Sequence, residues 1–295
     1  MNAASLQVSS ASGWLIACLV AAVLVVLLVS CSREVGEKDL FFPRQHAVVP
    51  EEPGQHNVVI TYNDEEALRG WYLEKPAHDT TLIFHYGNGE TVLANAARLA
   101  WFVDTLGVNV MAVDYRGYGF SDGSPSVDAL LEDTVRIYDH LRAEWVDASH
   151  RIIVYGRSIG SAPAVHLAAE RRVDGLILEA PFTNISDVIS AWGRNIKAPV
   201  RWFIRLRPES SLAEQEPQPE DLIAAFTGPL LVIHGEADTV IPATLGREMF
   251  EACPSEAKTW ISLPGIGHNN LPVNHPDVVP ALQRFVSETV PKNES

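Results

Sequence analysis

Ser158 stands in the run Gly156-Arg157-Ser158-Ile159-Gly160, and the residues around it are the kinds a serine nucleophile needs. A serine hydroxyl attacks a carbonyl at neutral pH only with a base to take its proton, a group to orient that base, and donors for the oxyanion that forms. A sharp strand-to-helix turn exposes such a serine. The residues two before and two after it must then be very small, so that strand and helix can approach. Gly156 and Gly160 hold those positions, after the apolar run Ile152-Ile153-Val154-Tyr155 and before an alanine-rich stretch. The five-residue pattern is common by chance, and its alternative is a tight turn that merely presents a serine; the flanking strand and helix favour chemistry.

The orienting acid and then the base are expected later in the chain, in the order Ser, Asp, His. Asp238 lies just past the strand-like run Pro229-Leu230-Leu231-Val232-Ile233-His234, in Gly235-Glu236-Ala237-Asp238-Thr239-Val240-Ile241-Pro242. Glu236 competes with it but sits at the strand exit and by alternation points elsewhere. His268 follows the last strand, in Pro264-Gly265-Ile266-Gly267-His268-Asn269-Asn270. The chain has 10 histidines, so position must decide among them. His85 and His234 end strands ahead of the required order, His166 sits in the helix after the serine, and His275, at the start of the last helix, is the rival. The oxyanion calls for the N–H of Ile159 and one from the loop Tyr86-Gly87-Asn88-Gly89-Glu90, whose glycines let the backbone turn toward a substrate oxygen.

The elements that must position these groups read as an α/β chain. Two strands without a helix between them come first (Val58 to Tyr62, Gly70 to Leu73). Strands at Thr81 to Tyr86, Val108 to Asp114, Arg151 to Tyr155, Gly175 to Glu179, Pro229 to His234 and Lys258 to Leu263 then alternate with helices near 91–105, 126–146, 159–171, 243–253 and 275–290. Continuous apolar strands between helices predict a mostly parallel sheet covered on both faces. Residues 184–226 break the alternation. They are helical early (Val188 to Arg205) and acidic later, without a convincing sheet strand, and read as a lid. Trp192, Val200, Trp202, Phe203 and Ile204 in it are candidates for lining an acyl pocket, touching a bilayer, or packing the lid onto the body.

The runs Tyr86-Gly87-Asn88-Gly89-Glu90, Asp114-Tyr115-Arg116-Gly117-Tyr118-Gly119-Phe120-Ser121, the serine turn, Gly235 to Pro242 and Gly267-His268 together resemble the α/β-hydrolase superfamily, and most of all its membrane-associated branch of Bem46-like and ABHD13/ABHD17-like proteins. The resemblance covers about Val58 to Val290. It implies the α/β-hydrolase fold, carboxylic-ester or thioester hydrolysis, Asn88 as the second oxyanion N–H donor, and a loop from Asp114 to Ser121 that shapes the floor of the site. Where that branch has His-Gly-Asn, this chain has Tyr86-Gly87-Asn88. The exchange is either a strand-end swap or a new oxyanion donor, the Tyr86 hydroxyl, as in prolyl-oligopeptidase-like enzymes.

At 295 residues with 47% hydrophobic and 20% charged residues, the chain can bury one sizeable core. A formal net charge of −15 argues against nucleic acid and against an anionic lipid surface held by charge alone. Trp14 to Val29 is apolar throughout, and Leu28-Val29-Ser30-Cys31 resembles a bacterial lipobox, though residues 1–13 carry no Lys or Arg. Either Cys31 is lipidated after cleavage of a signal peptide, or the segment is an uncleaved N-terminal anchor. Both tether the body to a membrane outside the cytoplasm. The expected organisation is a signal or anchor over 1–31, a polar spacer over 32–56 and a hydrolase domain over 57–291. With Cys18 in the apolar segment and Cys31 at the lipid site, Cys253 is left alone and no disulfide of the body is expected. No Cys or His set has zinc spacing, so no metal is expected, and the chemistry needs no cofactor.

These residues predict a two-step acyl transfer to water on a small acyl ester or thioester, with Ser158 as nucleophile, His268 as base and Asp238 orienting it. The alternatives are a serine aminopeptidase or oligopeptidase, suggested by Tyr86, and a catalytically silent membrane-tethered scaffold.

Overall fold

The computed structural model describes residues 14, 18–21, 32–46, 55–197, 205–214 and 217–289. Cys31, Val200, Trp202, Phe203, Ile204 and most of the N-terminal apolar run lie outside the described residues. Among the described residues, no helix is long and apolar enough to cross a membrane.

Ten strands are described: β1 (Ser32–Val35), β2 (Gln55–Thr61), β3 (Ala67–Leu73), β4 (Thr80–His85), β5 (Asn109–Val113), β6 (Arg151–Arg157), β7 (Gly175–Glu179), β8 (Arg205–Pro208), β9 (Leu230–Gly235) and β10 (Lys258–Leu263). Eight of them form one sheet in the order β10-β9-β7-β6-β4-β5-β3-β2. Only the β2–β3 and β3–β5 pairs are antiparallel; the rest are parallel. This is the α/β-hydrolase fold, with its antiparallel start and parallel remainder.

The apolar runs explain the layering. β4, β5, β7 and β9 are buried along their whole length, as strands covered on both faces must be. Successive side chains serve opposite faces: Phe84, Tyr155, Ile177 and Ile233 pack into one core, and their neighbours Ile83, Val154, Leu178 and Val232 into the other. The helix Val127–Glu144 starts where Ser126 caps it, the Ser126 hydroxyl accepting from the Ala129 N–H at 3.0 Å. The helix expected near 91–105 is three pieces, a 3₁₀ turn Leu93–Asn95, the α-helix Ala96–Trp101 and a π turn Phe102–Leu106, stopped at Gly107 by a backbone φ of +66°.

Two expectations are corrected here. Residues 32–46 are not a free spacer. β1 pairs in parallel with β8 in a separate two-stranded sheet, the short helix Glu37–Leu40 follows, and Val35, Leu40 and Phe41 are buried. The segment 184–226 does contain a strand, β8, although not one of the main sheet. Of the helical stretch expected over Val188 to Arg205, the structure shows the helix Ile185–Asn195, residues 198–204 lie outside the described residues, and two short helices, Ser210–Ala213 and Pro219–Ile223, follow β8.

Candidate active site

β6 lies in the middle of the sheet and runs directly into a 3₁₀ turn, Ser158–Gly160, and then the helix Ser161–Glu170. Ser158 sits at φ +55°, a left-handed conformation unusual for a residue with a side chain. The flanking glycines make the turn possible. A Cβ on Gly156 would lie 2.4 Å from the Gly160 carbonyl oxygen, and one on Gly160 would lie 2.3 Å from the His85 carbonyl oxygen, both far inside contact distance. The second of these contacts also brings the end of β4, and with it the loop from Tyr86 to Glu90, up against the turn.

The structure brings together the three residues expected from order and spacing. Ser158 Oγ lies 2.9 Å from His268 Nε2, and His268 Nδ1 lies 2.6 Å from Asp238 Oδ2. The other carboxylate oxygen, Asp238 Oδ1, accepts the N–H groups of Val240 and Ile241, each at 2.8 Å. Burial alone would raise the Asp238 pKa. The nearby His234 ring, the hydrogen bond with His268 and the Ile241 N–H outweigh it and hold the carboxyl well below the usual range. The stability this group contributes is therefore complete above the ordinary aspartate range and is lost as pH falls through its depressed value.

The rival groups are engaged elsewhere. Glu236 is exposed and accepts from the Ser262 hydroxyl at 2.9 Å. His275 Nδ1 accepts from the Asp277 N–H at the start of the last helix, at 3.2 Å. His85 is buried against Thr134, 2.8 Å away, and burial pushes its pKa down to about 3. His234 is fully buried beneath Asp238, with Nε2 2.9 Å from the Ile241 carbonyl oxygen and 3.6 Å from Asp238 Oδ2.

Ile159 and Asn88 line, together with Ser158 and His268, a cavity of about 190 Å³. The polar atoms of the Asn88 side chain are engaged by the protein: Nδ2 donates to the Leu40 carbonyl, while Oδ1 accepts the Phe42 N–H at 3.0 Å and the Tyr118 hydroxyl at 2.8 Å. These bonds hold the loop that carries Asn88 in place beside the serine turn.

The expectation that the Tyr86 hydroxyl serves as an oxyanion donor is corrected. That hydroxyl is fully buried, donates to Asp114 Oδ1 at 2.9 Å and accepts the Tyr115 N–H at 3.0 Å. Asp114 also accepts the Val92 and Phe120 N–H groups, at 2.8 and 3.0 Å, so Tyr86 completes a buried clamp beneath the site. Tyr86→Phe is accordingly expected to lower stability by about 1–3 kcal/mol, the cost of leaving buried polar partners unpaired, and to leave turnover within a few-fold. A loss of about a hundredfold in kcat, measured on folded protein, would restore the oxyanion role.

Sequence reasoning missed Arg157, the residue before the serine. It is buried. Its Nε donates to Glu179 at 2.9 Å, its Nη1 reaches Glu90, and its Nη2 donates to the His268 carbonyl at 3.0 Å. Glu90 in turn accepts the Gly87 N–H at 3.3 Å, and Glu179 also takes Arg98 at 2.7 Å and the Tyr155 hydroxyl at 2.5 Å. For Glu179, burial alone would raise the pKa, but the Arg98 and Arg157 guanidiniums hold the carboxyl below its ordinary value. One guanidinium thus ties together the serine turn, the histidine loop and the loop that carries Asn88. Each partner comes from a distant part of the chain, so only the unusual Arg beside the serine and the Glu ending β7 hinted at it.

A family model described as serine aminopeptidase, S33 (Hydrolase_4) matches residues 76–220, which include Ser158 but neither Asp238 nor His268. An uncharacterized protein of Mycobacterium tuberculosis is 32% identical over 241 residues, covering 80% of this chain and 81% of that one. The mouse alpha/beta hydrolase domain-containing protein 17C is 29% identical over 220 residues, 74% of this chain and 63% of the relative. An uncharacterized membrane protein of Saccharomyces cerevisiae is 27% identical over 233 residues, 77% of this chain and 78% of the relative. Among solved structures, an esterase of Pyrococcus furiosus superposes with a TM-score of 0.69 at 20% identity, covering 84% of this chain and 98% of the esterase. With this sheet and this serine turn, the chain belongs to the α/β-hydrolase family of hydrolases, among the proteins similar to alpha/beta hydrolase domain-containing protein 17C.

Proposed function

We propose that the protein is a serine hydrolase that cleaves carboxylic ester or thioester bonds through an acyl-enzyme. The observation that carries this is the relay of 2.9 and 2.6 Å from Ser158 through His268 to Asp238, set on a serine turn with a left-handed φ. His268 takes the Ser158 proton as the oxygen attacks the acyl carbon, and the N–H groups of Ile159 and Asn88 receive the oxyanion. The alcohol or thiol leaves with the proton from His268. A water then loses its proton to His268, attacks the acyl-serine and releases the acid, with the proton returned to Ser158. Asp238 holds the imidazole with Nδ1 protonated and stabilises its charged form.

Cleavage of an ester rather than a peptide N-terminus is supported by the cavity lining. An aminopeptidase must hold a protonated α-amine, and a buried ammonium needs a carboxylate partner. Among the described residues the cavity at Ser158 is lined mainly by apolar groups such as Leu40, Ile159, Phe182 and Trp192, with Asn88, Arg157, His268 and Asn269, and no Asp or Glu. The Pyrococcus structural neighbour is an esterase, in keeping with this. The test is a matched set of p-nitrophenyl esters, acyl thioesters and aminoacyl p-nitroanilides. Turnover of the first two well above the third is expected, and preferential release of p-nitroaniline would move the protein to the peptidases.

The apolar run from Trp14 to Val29 and the membrane protein among the relatives support tethering to a membrane, and the lipobox-like Cys31 leads us to place the body outside the cytoplasm, held by a lipid on Cys31 or by an uncleaved anchor. Cys31→Ser is expected to abolish incorporation of an alkynyl fatty acid; unlabelled wild-type protein that still sediments with membranes would favour the anchor.

A further inference from the structure

The segment after the N-terminal apolar run behaves as part of the hydrolase body. β1 is hydrogen-bonded to β8 of the lid, and the Glu209 N–H donates to the Val35 carbonyl at 3.0 Å. Glu37 Oε1 accepts the Val127 N–H at 2.9 Å, which fixes the strap to the start of a core helix. The Leu40 carbonyl accepts from Asn88, and the Phe42 N–H donates to Asn88 Oδ1 and, at 2.8 Å, to the Tyr118 hydroxyl. Further on, the Gly119 N–H donates to the Arg44 carbonyl at 2.6 Å, and the His46 N–H donates back to the Gly119 carbonyl at 2.7 Å. So many attachments seat Leu40 firmly, and it is only 2% exposed.

Leu40 lines two cavities. One is lined also by Ser158 and His268. The other, about 60 Å³, is walled by Leu130, Ile159, Phe182, Ile185 and Leu222, with little that is polar. The two share Leu40, Ile159, Phe182 and Ile185, so they lie side by side with these four side chains between them. A mainly apolar cavity set beside the one at the nucleophile suits an unbranched hydrocarbon arm, because each methylene that enters it leaves water for an apolar wall.

We propose that Leu40 is a specificity-determining residue: the N-terminal strap, together with the lid, closes a hydrocarbon passage through which the acyl chain of the substrate runs from Ser158 past Leu40 into the second cavity. That the arm is acyl rests on the ester reading above; that the passage takes a hydrocarbon chain does not. Each methylene accommodated strengthens binding about fourfold, the equivalent of ~0.8 kcal/mol.

The test measures length dependence in two independent ways. One is kcat/KM for p-nitrophenyl esters from acetyl to dodecanoyl. The other is Kd for the matching saturated carboxylic acids by calorimetry. In wild-type protein both are expected to improve with chain length up to a limit. Leu40→Trp adds bulk between the two cavities and should lower the long-to-short ratio in both series at least tenfold. Leu130→Trp, placed only in the second cavity, should lower it for the longest members and spare the middle ones; it also serves if Leu40→Trp does not fold. Length ratios indifferent to both variants would overturn the proposal. Length-dependent acid binding that follows the variants, with no ester turnover, would support the passage and overturn the ester reading instead.

Discussion

Asp238→Asn is expected to lower kcat about ten-thousand-fold while the protein stays folded, as for the corresponding change in serine proteases that use the same relay. The hydrogen bonds around this side chain give the reason. Oδ1 accepts the Val240 and Ile241 N–H groups, each at 2.8 Å, and an asparagine amide oxygen can take over both. The amide NH₂ must then face His268 Nδ1, which the wild-type carboxylate approaches to 2.6 Å. A donor there requires Nδ1 to be the acceptor, so the imidazole proton moves to Nε2, the atom 2.9 Å from Ser158 Oγ. A ring nitrogen that already carries a proton has no lone pair with which to take the serine's, and no carboxylate remains to stabilise an imidazolium formed in the other tautomer. KM should change little, because Asp238 lies behind the imidazole and lines neither cavity. A kcat for Asp238→Asn within tenfold of wild type would mean that Asp238 does not orient the base.

Arg157→Met should cost both stability and turnover. Removing one partner of a buried ion pair leaves the other charge buried, at about 3–5 kcal/mol. Glu179, 1% exposed at its side chain, keeps Arg98, whereas Glu90 loses the arginine that meets it. For a body of this size about 2–4 °C of melting temperature goes with each kcal/mol, so a fall of roughly 10 °C is expected. Turnover falls because the His268 carbonyl loses its 3.0 Å anchor and Gly87 loses the carboxylate that Arg157 holds in place. A displacement of about 1 Å among reacting groups can cost on the order of a hundredfold. Assayed well below its melting point, the variant should therefore lose kcat more than KM. Arg157→Lys keeps the charge but cannot reach three partners from one planar fork, so it should recover stability better than turnover. A melting temperature and kcat unchanged in Arg157→Met would show that the cluster positions nothing.

Much of the candidate site was legible because its signals are local. The glycines around Ser158 answer to close approaches within a single strand-turn-helix unit, and Asp238 and His268 each sit just past a strand whose apolar run announces it. The sheet was legible for the same reason: β4, β5, β7 and β9 are uninterrupted apolar runs, and strands buried on both faces must read that way. What escaped depends on partners far along the chain. Arg157 draws its meaning from Glu90, Glu179 and His268. The Tyr86 hydroxyl could be assigned only once Asp114 was seen to meet it across β4 and β5. The strap over 32–46 looked like a spacer because its polar residues and Pro43 dominate the local pattern; Val35, Leu40 and Phe41 were the signal that it packs, and the strand it pairs with lies some 170 residues later.

The central claim, that Ser158 is the nucleophile of a working hydrolase, is tested most directly by reaction of the purified full-length protein with a fluorophosphonate probe, which phosphonylates an activated serine. Stoichiometric labelling of wild-type protein at Ser158, located by peptide mass spectrometry and absent in folded Ser158→Ala, is the result the structure predicts. Folded wild-type protein that resists the probe, or Ser158→Ala protein labelled as fast as wild type, would contradict it.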